Sequence, residues 1–234
     1  TLATEGSLTN ISLPIVSMML INAVLLLMSY LIIYAMEKSF GFMSGVTLVE
    51  LCNLGRGLLL RLSQEAPGTF QHSLQVANLT ASAAKVIGAN ASLVRTGAMY
   101  HDIGKLWNPN MYTENQEGPN PHDALSTEES VEVIKRHVAE GIKLAQKEKL
   151  PREIIEFIQT HHGNSLIRYF YVTWCNAHPN EEPDLQMFTY PYPDPVTKEQ
   201  ALLMMGDGIE AASRTLKEYS QESIAKLVNG IIDA

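Results

Sequence analysis

The chain has 234 residues and a formal net charge of -8, with a pI near 5.4; that length suits one large domain or two small ones with an ordinary core. A hydrophobic content of 46% is too high for a disordered chain, and the acidity argues against DNA or RNA as the main partner. Two cysteines, Cys52 and Cys175, make neither a disulfide framework nor a zinc cluster, which points to a reducing compartment.

Mean hydropathy is -0.01, but the apolar residues are pooled at the start. No charged side chain occurs from Gly6 to Met36, and 21 of the 26 residues from Ile11 to Met36 are apolar. A bilayer core of about 30 Å needs about 20 mostly apolar helical residues, so residues 11–36 are expected to form a transmembrane helix. A signal peptide would have a shorter apolar stretch behind a basic start, whereas here Glu5 precedes the stretch and no Lys or Arg does. A buried core helix is the plainer alternative. Lys38, Arg56 and Arg61 follow the span, and the positive-inside rule then places everything after Lys38 in the cytoplasm. Tyr30, Tyr34 and Phe40 suit an interfacial belt at the exit. The chain starts at Thr1, so the span is expected to be the last of a longer protein, with residues 1–10 as an extracytoplasmic flank.

Beyond Thr47 the apolar spacing is mostly i, i+3, i+4. It predicts helices near 47–64, 68–87, 91–102, 127–147, 151–163, 164–174, 197–217 and 220–232, and so an all-α fold. Residues 107–126 and 176–196 lack periodicity and are expected as long loops, which in a compact domain are often functional.

Histidines stand out on these helices. His72 is placed with Val76, Leu79 and Ala83 on one face; His101 follows Val94 and Ala98; His137 follows Ile134; His161 and His162 end a face with Ile154 and Ile158. Asp102 adjoins His101, and Asp207 lies between Leu203 and Ala211. One histidine on an apolar face is usually a satisfied core residue. Polar groups on the inward stripes of five helices, buried unpaired, would each cost on the order of 2 kcal/mol or more. A shared metal centre inside a helical bundle removes that cost.

His72, the His101-Asp102 pair and Asp207 resemble the H…HD…D pattern of the HD-domain metal-dependent phosphohydrolases. The added His137 and His161-His162 resemble their two-metal subset. The words EAPGTFQHS (65–73), YHDIGK (100–105), TENQ (113–116), NPHD (120–123), HHGNSLIRYFY (161–171), TKEQA (197–201) and EAASRTL (210–216) narrow the likeness to one group. It is similar to the seven-transmembrane, PgpH-type cyclic-di-AMP phosphodiesterases of bacterial inner membranes. The likeness implies a juxtamembrane helical linker at 37–66 and an HD helical bundle at 67–234.

By that resemblance, one metal would be held by His72, His101, Asp102 and Asp207, and a second by His137, His161, His162 and a bridging Asp102. Five imidazoles and two carboxylates suit Fe or Mn better than Mg, and zinc also fits. The implied reaction is attack of a metal-bridging hydroxide on cyclic-di-AMP, giving linear pApA. Asp102 and Lys105 are the catalytic candidates. Lys105, His122, Arg168 and Tyr192, the last in a Pro191-Tyr192-Pro193 turn where the group often has Pro-Gly-Pro, are the substrate-binding candidates. The plainer readings are a solvated helix-end residue for Lys105, a surface residue for Arg168 and a loop cap for His122, and His178 is placed at the surface. Two alternatives remain open: hydrolysis of another cyclic dinucleotide or nucleotide phosphate, and a non-catalytic receptor module. An oligomer is compatible with either.

Overall fold

A computed structural model describes residues 13–40, 43–55 and 57–233, without the side chain of Lys38. The flank 1–10, the first two residues of the expected span and Arg56 therefore lie outside the described residues. The chain divides into two units, 1–47 and 48–234.

The first unit holds helix α1, Leu13–Phe40. Its stretch Leu13–Glu37 is long and apolar enough to cross a membrane, by length and composition. Large apolar side chains are exposed on every side of it, unlike the single apolar stripe of a surface helix. Two of its polar interruptions are satisfied locally: the Ser17 and Ser29 hydroxyls donate to the carbonyls of Pro14 and Leu26 at 2.9 and 2.7 Å. The helix runs past Met36 to a turn in which the Glu37 carboxylate accepts from the Ser44 amide at 2.7 Å and the Thr47 hydroxyl at 2.9 Å.

The helix expected over 47–64 is two helices, α2 (Gly45–Leu51) and α3 (Gly57–Glu65). The break lies at Asn53-Leu54-Gly55, where the Asn53 side chain accepts from the Gly55 amide at 3.0 Å, an Asx-type turn that competes with helix. Gly57 follows at φ +55°, a left-handed conformation that favours glycine. Helix α3 buries Leu58, Leu59 and Leu62. Residues 48–66, expected as linker, thus join the second unit.

The other helices are α4 (Pro67–Val86), α5 (Ala91–Tyr100), α6 (Thr127–Lys147), α7 (Arg152–Thr160), α8 (Arg168–Ala177), α9 (Lys198–Ser213) and α10 (Gln221–Ile232). Among the described residues there is no strand, only a bridge between Leu166 and Thr189. Helix α4 packs on α5 and α9, and α7 packs on α5 and α6. Starts are set by side chains: Asn90 caps α5, and Ser126–Glu129 and Thr197–Gln200 form capping boxes on α6 and α9.

Three expectations shift. Helix α8 starts at Arg168 instead of 164, because the Ile167 amide donates to the Phe188 carbonyl and the Tyr190 amide to the Ser165 carbonyl, tying that stretch to the 176–196 loop. The loop 107–126 contains short 3-10 turns at Pro109–Met111, Thr113–Asn115 and Pro121–Ala124. The buried face of α4 carries Ser73, Val76, Ala77, Thr80 and Ala84 beside His72, while Leu79 is exposed. Small residues win that face because the neighbour is close: a Cβ on Gly206 of α9 would overlap the Thr80 side chain.

Candidate metal centre

Five helices deliver the seven singled-out side chains to one place. His72 comes from α4, His101 and Asp102 from the end of α5, His137 from α6, His161 and His162 from the end of α7, and Asp207 from α9. His101 and His161 are the residues that end their helices, so each pair His101-Asp102 and His161-His162 turns two consecutive side chains into the same space. Ligand atoms of His72, His101 and Asp102 cluster within 4.8 Å of one another, as do those of His137, His161 and His162.

Asp102 stands between the clusters. Its Oδ2 lies 3.6 Å from His72 Nε2 and 3.3 Å from His101 Nε2. Its Oδ1 lies 3.5 Å from His137 Nε2 and 3.8 Å from His161 Nε2. Asp207 spans the same gap from the other side, with Oδ1 2.9 Å from His72 Nε2 and Oδ2 3.9 Å from His162 Nδ1.

The ring orientations are fixed from behind. His101, His137 and His161 each set Nδ1 on the carbonyl three residues earlier, of Ala98, Ile134 and Ile158, at 2.7, 2.5 and 2.8 Å. A carbonyl only accepts, so Nδ1 carries a proton and Nε2 is the atom turned to the centre; burial keeps His137 and His161 neutral, so their Nε2 atoms are bare. The Nε2 atoms of His137 and His161 consequently face each other at 3.2 Å as two lone pairs. The Nε2 of His101 is buried with no hydrogen-bond partner. Facing lone pairs and an orphaned buried nitrogen call for a cation between them, and the donor set of imidazoles and carboxylates fits transition-metal ions.

Charge is polarised across the centre. Burial opposes ionisation of Asp102 and Asp207, yet Lys105 and His101 hold the first well below the usual carboxylate range, and the His101 and His72 rings beside it, at 3.7 and 2.9 Å, hold the second there. Burial keeps His137, His161 and His162 neutral, His162 falling to about 3. Burial also opposes charge on His101, but Asp102 and Asp207 raise it to about 10. Burial is outweighed at His72 by Asp207 and Glu210. The metal-free protein therefore holds a proton on His101 at neutral pH that an ion at Nε2 must displace. Metal loading at pH 7.5 is expected to release at least one proton per chain, read by calorimetry in two buffers of different ionisation enthalpy. With the His101 value raised, apparent affinity should increase with pH up to about 10. Equal heats in both buffers would contradict this assignment of protons.

A cavity of about 810 Å3 opens on the centre, within the size range of small-molecule sites. Lys105 lines it, but does not stand free. Its Nζ lies 2.7 Å from both Asp102 Oδ2 and Glu114 Oε1, so its charge is neutralised by two carboxylates. His122 also lines the cavity, with Nε2 on the Met111 carbonyl at 2.9 Å and its ring against Phe170. Arg168 and Tyr192 are not among the lining residues; Arg168 is exposed and Tyr192 half-buried. His178 stacks on Trp174 at 4.4 Å.

Four residues of the site escaped sequence reasoning. Glu114, inside TENQ, accepts from Thr69 and Lys105. Glu210 sits one turn after Asp207 on α9, Arg214 caps the end of that helix a turn later, and both line the cavity. Tyr190 stacks on His162 at 4.3 Å. The three-residue step from Asp207 to Glu210 was the available signal.

The HD domain family matches residues 69–212. This chain belongs to the HD domain family. Within it, the cyclic-di-AMP phosphodiesterase PgpH of Bacillus subtilis (strain 168) is 40% identical over 197 residues, which is 84% of this chain and 27% of that protein. The chain thus spans about a quarter of the length of the curated relatives it matches. A ribonuclease Y of Acholeplasma laidlawii (strain PG-8A) is 33% identical over 96 residues, covering 41% of this chain and 14% of that protein. The crystal structure of the Listeria monocytogenes PgpH HD domain in complex with cyclic-di-AMP superposes with a TM-score of 0.73 at 39% identity, covering 78% of this chain and 85% of that one.

Proposed function

We propose that this HD-domain chain is the catalytic part of a membrane-anchored, two-metal phosphodiesterase that hydrolyses cyclic-di-AMP to linear pApA. The observation that carries the reading is the Asp102 carboxylate, which turns one oxygen to each of two histidine clusters. The likeness to a domain solved with cyclic-di-AMP supports the substrate class. In this reading His72, His101, Asp102 and Asp207 hold one ion, and His137, His161, His162 and Asp102 the other, with Fe or Mn preferred. Helix α1 anchors the domain as the last of several spans, with residues after Lys38 on the cytoplasmic side.

When bound, two divalent ions supply Lewis-acid stabilisation of a phosphate and activation of water. The chain does the rest. Five carboxylates line the cavity, Asp102, Glu114, Asp123, Asp207 and Glu210, against the cations Lys105 and Arg214. Alone, that wall repels a dianion; two divalent ions reverse the sign. Lys105 holds Asp102 in place while Glu114 holds Lys105. His122 and Phe170 form an apolar and aromatic side of the cavity suited to a base. Tyr190, whose phenol burial keeps neutral, braces His162.

The test is turnover by the full chain in detergent, loaded with Mn or Fe. Cyclic-di-AMP should be converted to pApA faster than cyclic-di-GMP or a short RNA is cut. Preference for either competitor would move the assignment to that substrate. Chelation should abolish both turnover and cyclic-di-AMP binding, since the stripped cavity is negative.

A further inference from the structure

Three of the four histidines that present Nε2 to the centre take their orientation from their own helix. His101, His137 and His161 each donate from Nδ1 to a carbonyl three residues back. His72 differs. Its Nδ1 meets a side chain on another helix, the Glu210 carboxylate, with Oε2 at 2.5 Å. Glu210 is itself buried and sits one turn beyond Asp207 on α9, so one helix supplies a carboxylate to the centre and locks a histidine of α4. Arg214, a further turn along, grips the other oxygen: its Nε and Nη2 lie 3.0 and 2.6 Å from Glu210 Oε1. That grip leaves Oε2 to His72; Nη2 also lies 3.3 Å from His72 Nδ1, two donors brought together by the carboxylate they share.

We propose that Glu210 is a positioning residue that fixes which nitrogen of His72 faces the centre, and thereby sets metal affinity on the His72 side alone. The proposal rests on the two-ion reading above. A carboxylate can only accept, so Glu210 keeps a proton on Nδ1, and Nε2, which meets Asp207 at 2.9 Å, is the nitrogen left to an ion. A negatively charged acceptor also makes the imidazole a better donor to a cation, and losing such a partner costs metal affinity about 10–100-fold. A glutamine in its place can offer an N–H to Nδ1 and stabilise the wrong tautomer. The His137–His161–His162 side has no contact with Glu210 and keeps its own carbonyl supports, so the effect falls on one ion.

The test counts ions in the metal-free full chain in detergent, titrated with Mn2+ and read by calorimetry and by the electron paramagnetic resonance of free Mn2+. The wild type should bind two ions. Glu210→Gln should keep one at near-wild-type affinity and weaken the other about 10–100-fold. Two ions retained at wild-type affinity overturn the proposal, and so does equal weakening of both, which marks a general structural role. Arg214→Ala separates orientation from tethering: affinity should stay near wild type, because Oε2 still meets His72. If Arg214→Ala weakens the ion as much as Glu210→Gln, Glu210 acts only through Arg214 and the proposal fails. Should Glu210→Gln not fold, Glu210→Asp keeps the charge beside Arg214 but falls a methylene short of His72, and the same loss of one ion is expected. A wild-type count below two overturns the two-ion reading itself, whatever the variants do.

Discussion

Asp102→Ala is expected to lower phosphodiester hydrolysis by at least ~1000-fold, equivalent to ~4 kcal/mol of transition-state stabilisation. The reason is geometric. Each oxygen of Asp102 approaches two histidine nitrogens of one cluster, at 3.3–3.6 Å on one side and 3.5–3.8 Å on the other. Its loss should reduce bound metal below two ions per chain, measured by elemental analysis. The fold should survive. Removing one member of a buried ion pair costs about 3–5 kcal/mol when the partner charge is left alone, but Lys105 keeps Glu114 at 2.7 Å. The unfolding midpoint of the metal-free variant should therefore fall by less than that penalty implies. Full activity in Asp102→Ala would refute the two-metal mechanism.

Gly104→Ala is expected to damage both stability and metal loading, although Gly104 carries no chemistry. The turn Ile103–Trp107 that follows the His101-Asp102 pair packs on α6. A Cβ on Gly104 would overlap the His137 backbone carbonyl and the Gly141 amide nitrogen. These are backbone atoms, so no rotamer change relieves the clash. Overpacking of this kind costs about 1–3 kcal/mol, occasionally more. The forced movement separates α6 from the turn, and with it His137 from Asp102. Denaturant unfolding should show the loss, and metal analysis should show the His137 side emptied first. Gly230→Ala is the control: a Cβ there meets nothing within 4 Å, and replacing a helical glycine should be neutral or stabilise by up to about 1 kcal/mol. Equal unfolding midpoints for wild type and Gly104→Ala would show that the turn and α6 can separate without cost.

How much was legible depended on how far a residue's partner lies along the chain. The helices followed from local periodicity, and the capping boxes found at Ser126–Glu129 and Thr197–Gln200 set starts within a residue of those expected at 127 and 197. The break between α2 and α3 was missed because Asn53 and Gly57 act through turn geometry within an apolar-periodic stretch. The reach of the compact unit back to Leu48 was missed for a related reason: Leu59 and Leu62 look like any amphipathic linker until α4 and the 103–107 turn cover them. The seven centre residues were legible because each is a polar group on an inward stripe, an anomaly that needs no knowledge of its partners. Glu114 and Arg214 gave no such signal, since charged residues in loops and at helix ends are ordinary; Glu210 gave a weak one, three residues after Asp207 on the same helix.

The amino-acid order by itself determined an all-helical chain, an uncharged stretch of membrane-spanning length and a set of imidazoles and carboxylates that could not be buried without a cation. These follow from hydropathy, helical period and the cost of burying polar groups, which are properties of single residues and their near neighbours. Only the tertiary structure decided which oxygen of Asp102 faces which cluster, that Lys105 is already neutralised by Glu114, that Arg168 and Tyr192 lie off the cavity wall, and that His72 leans on Glu210. Those facts rest on distances of a few ångströms between residues up to 138 positions apart, and such distances are fixed by helix packing, which no local pattern encodes.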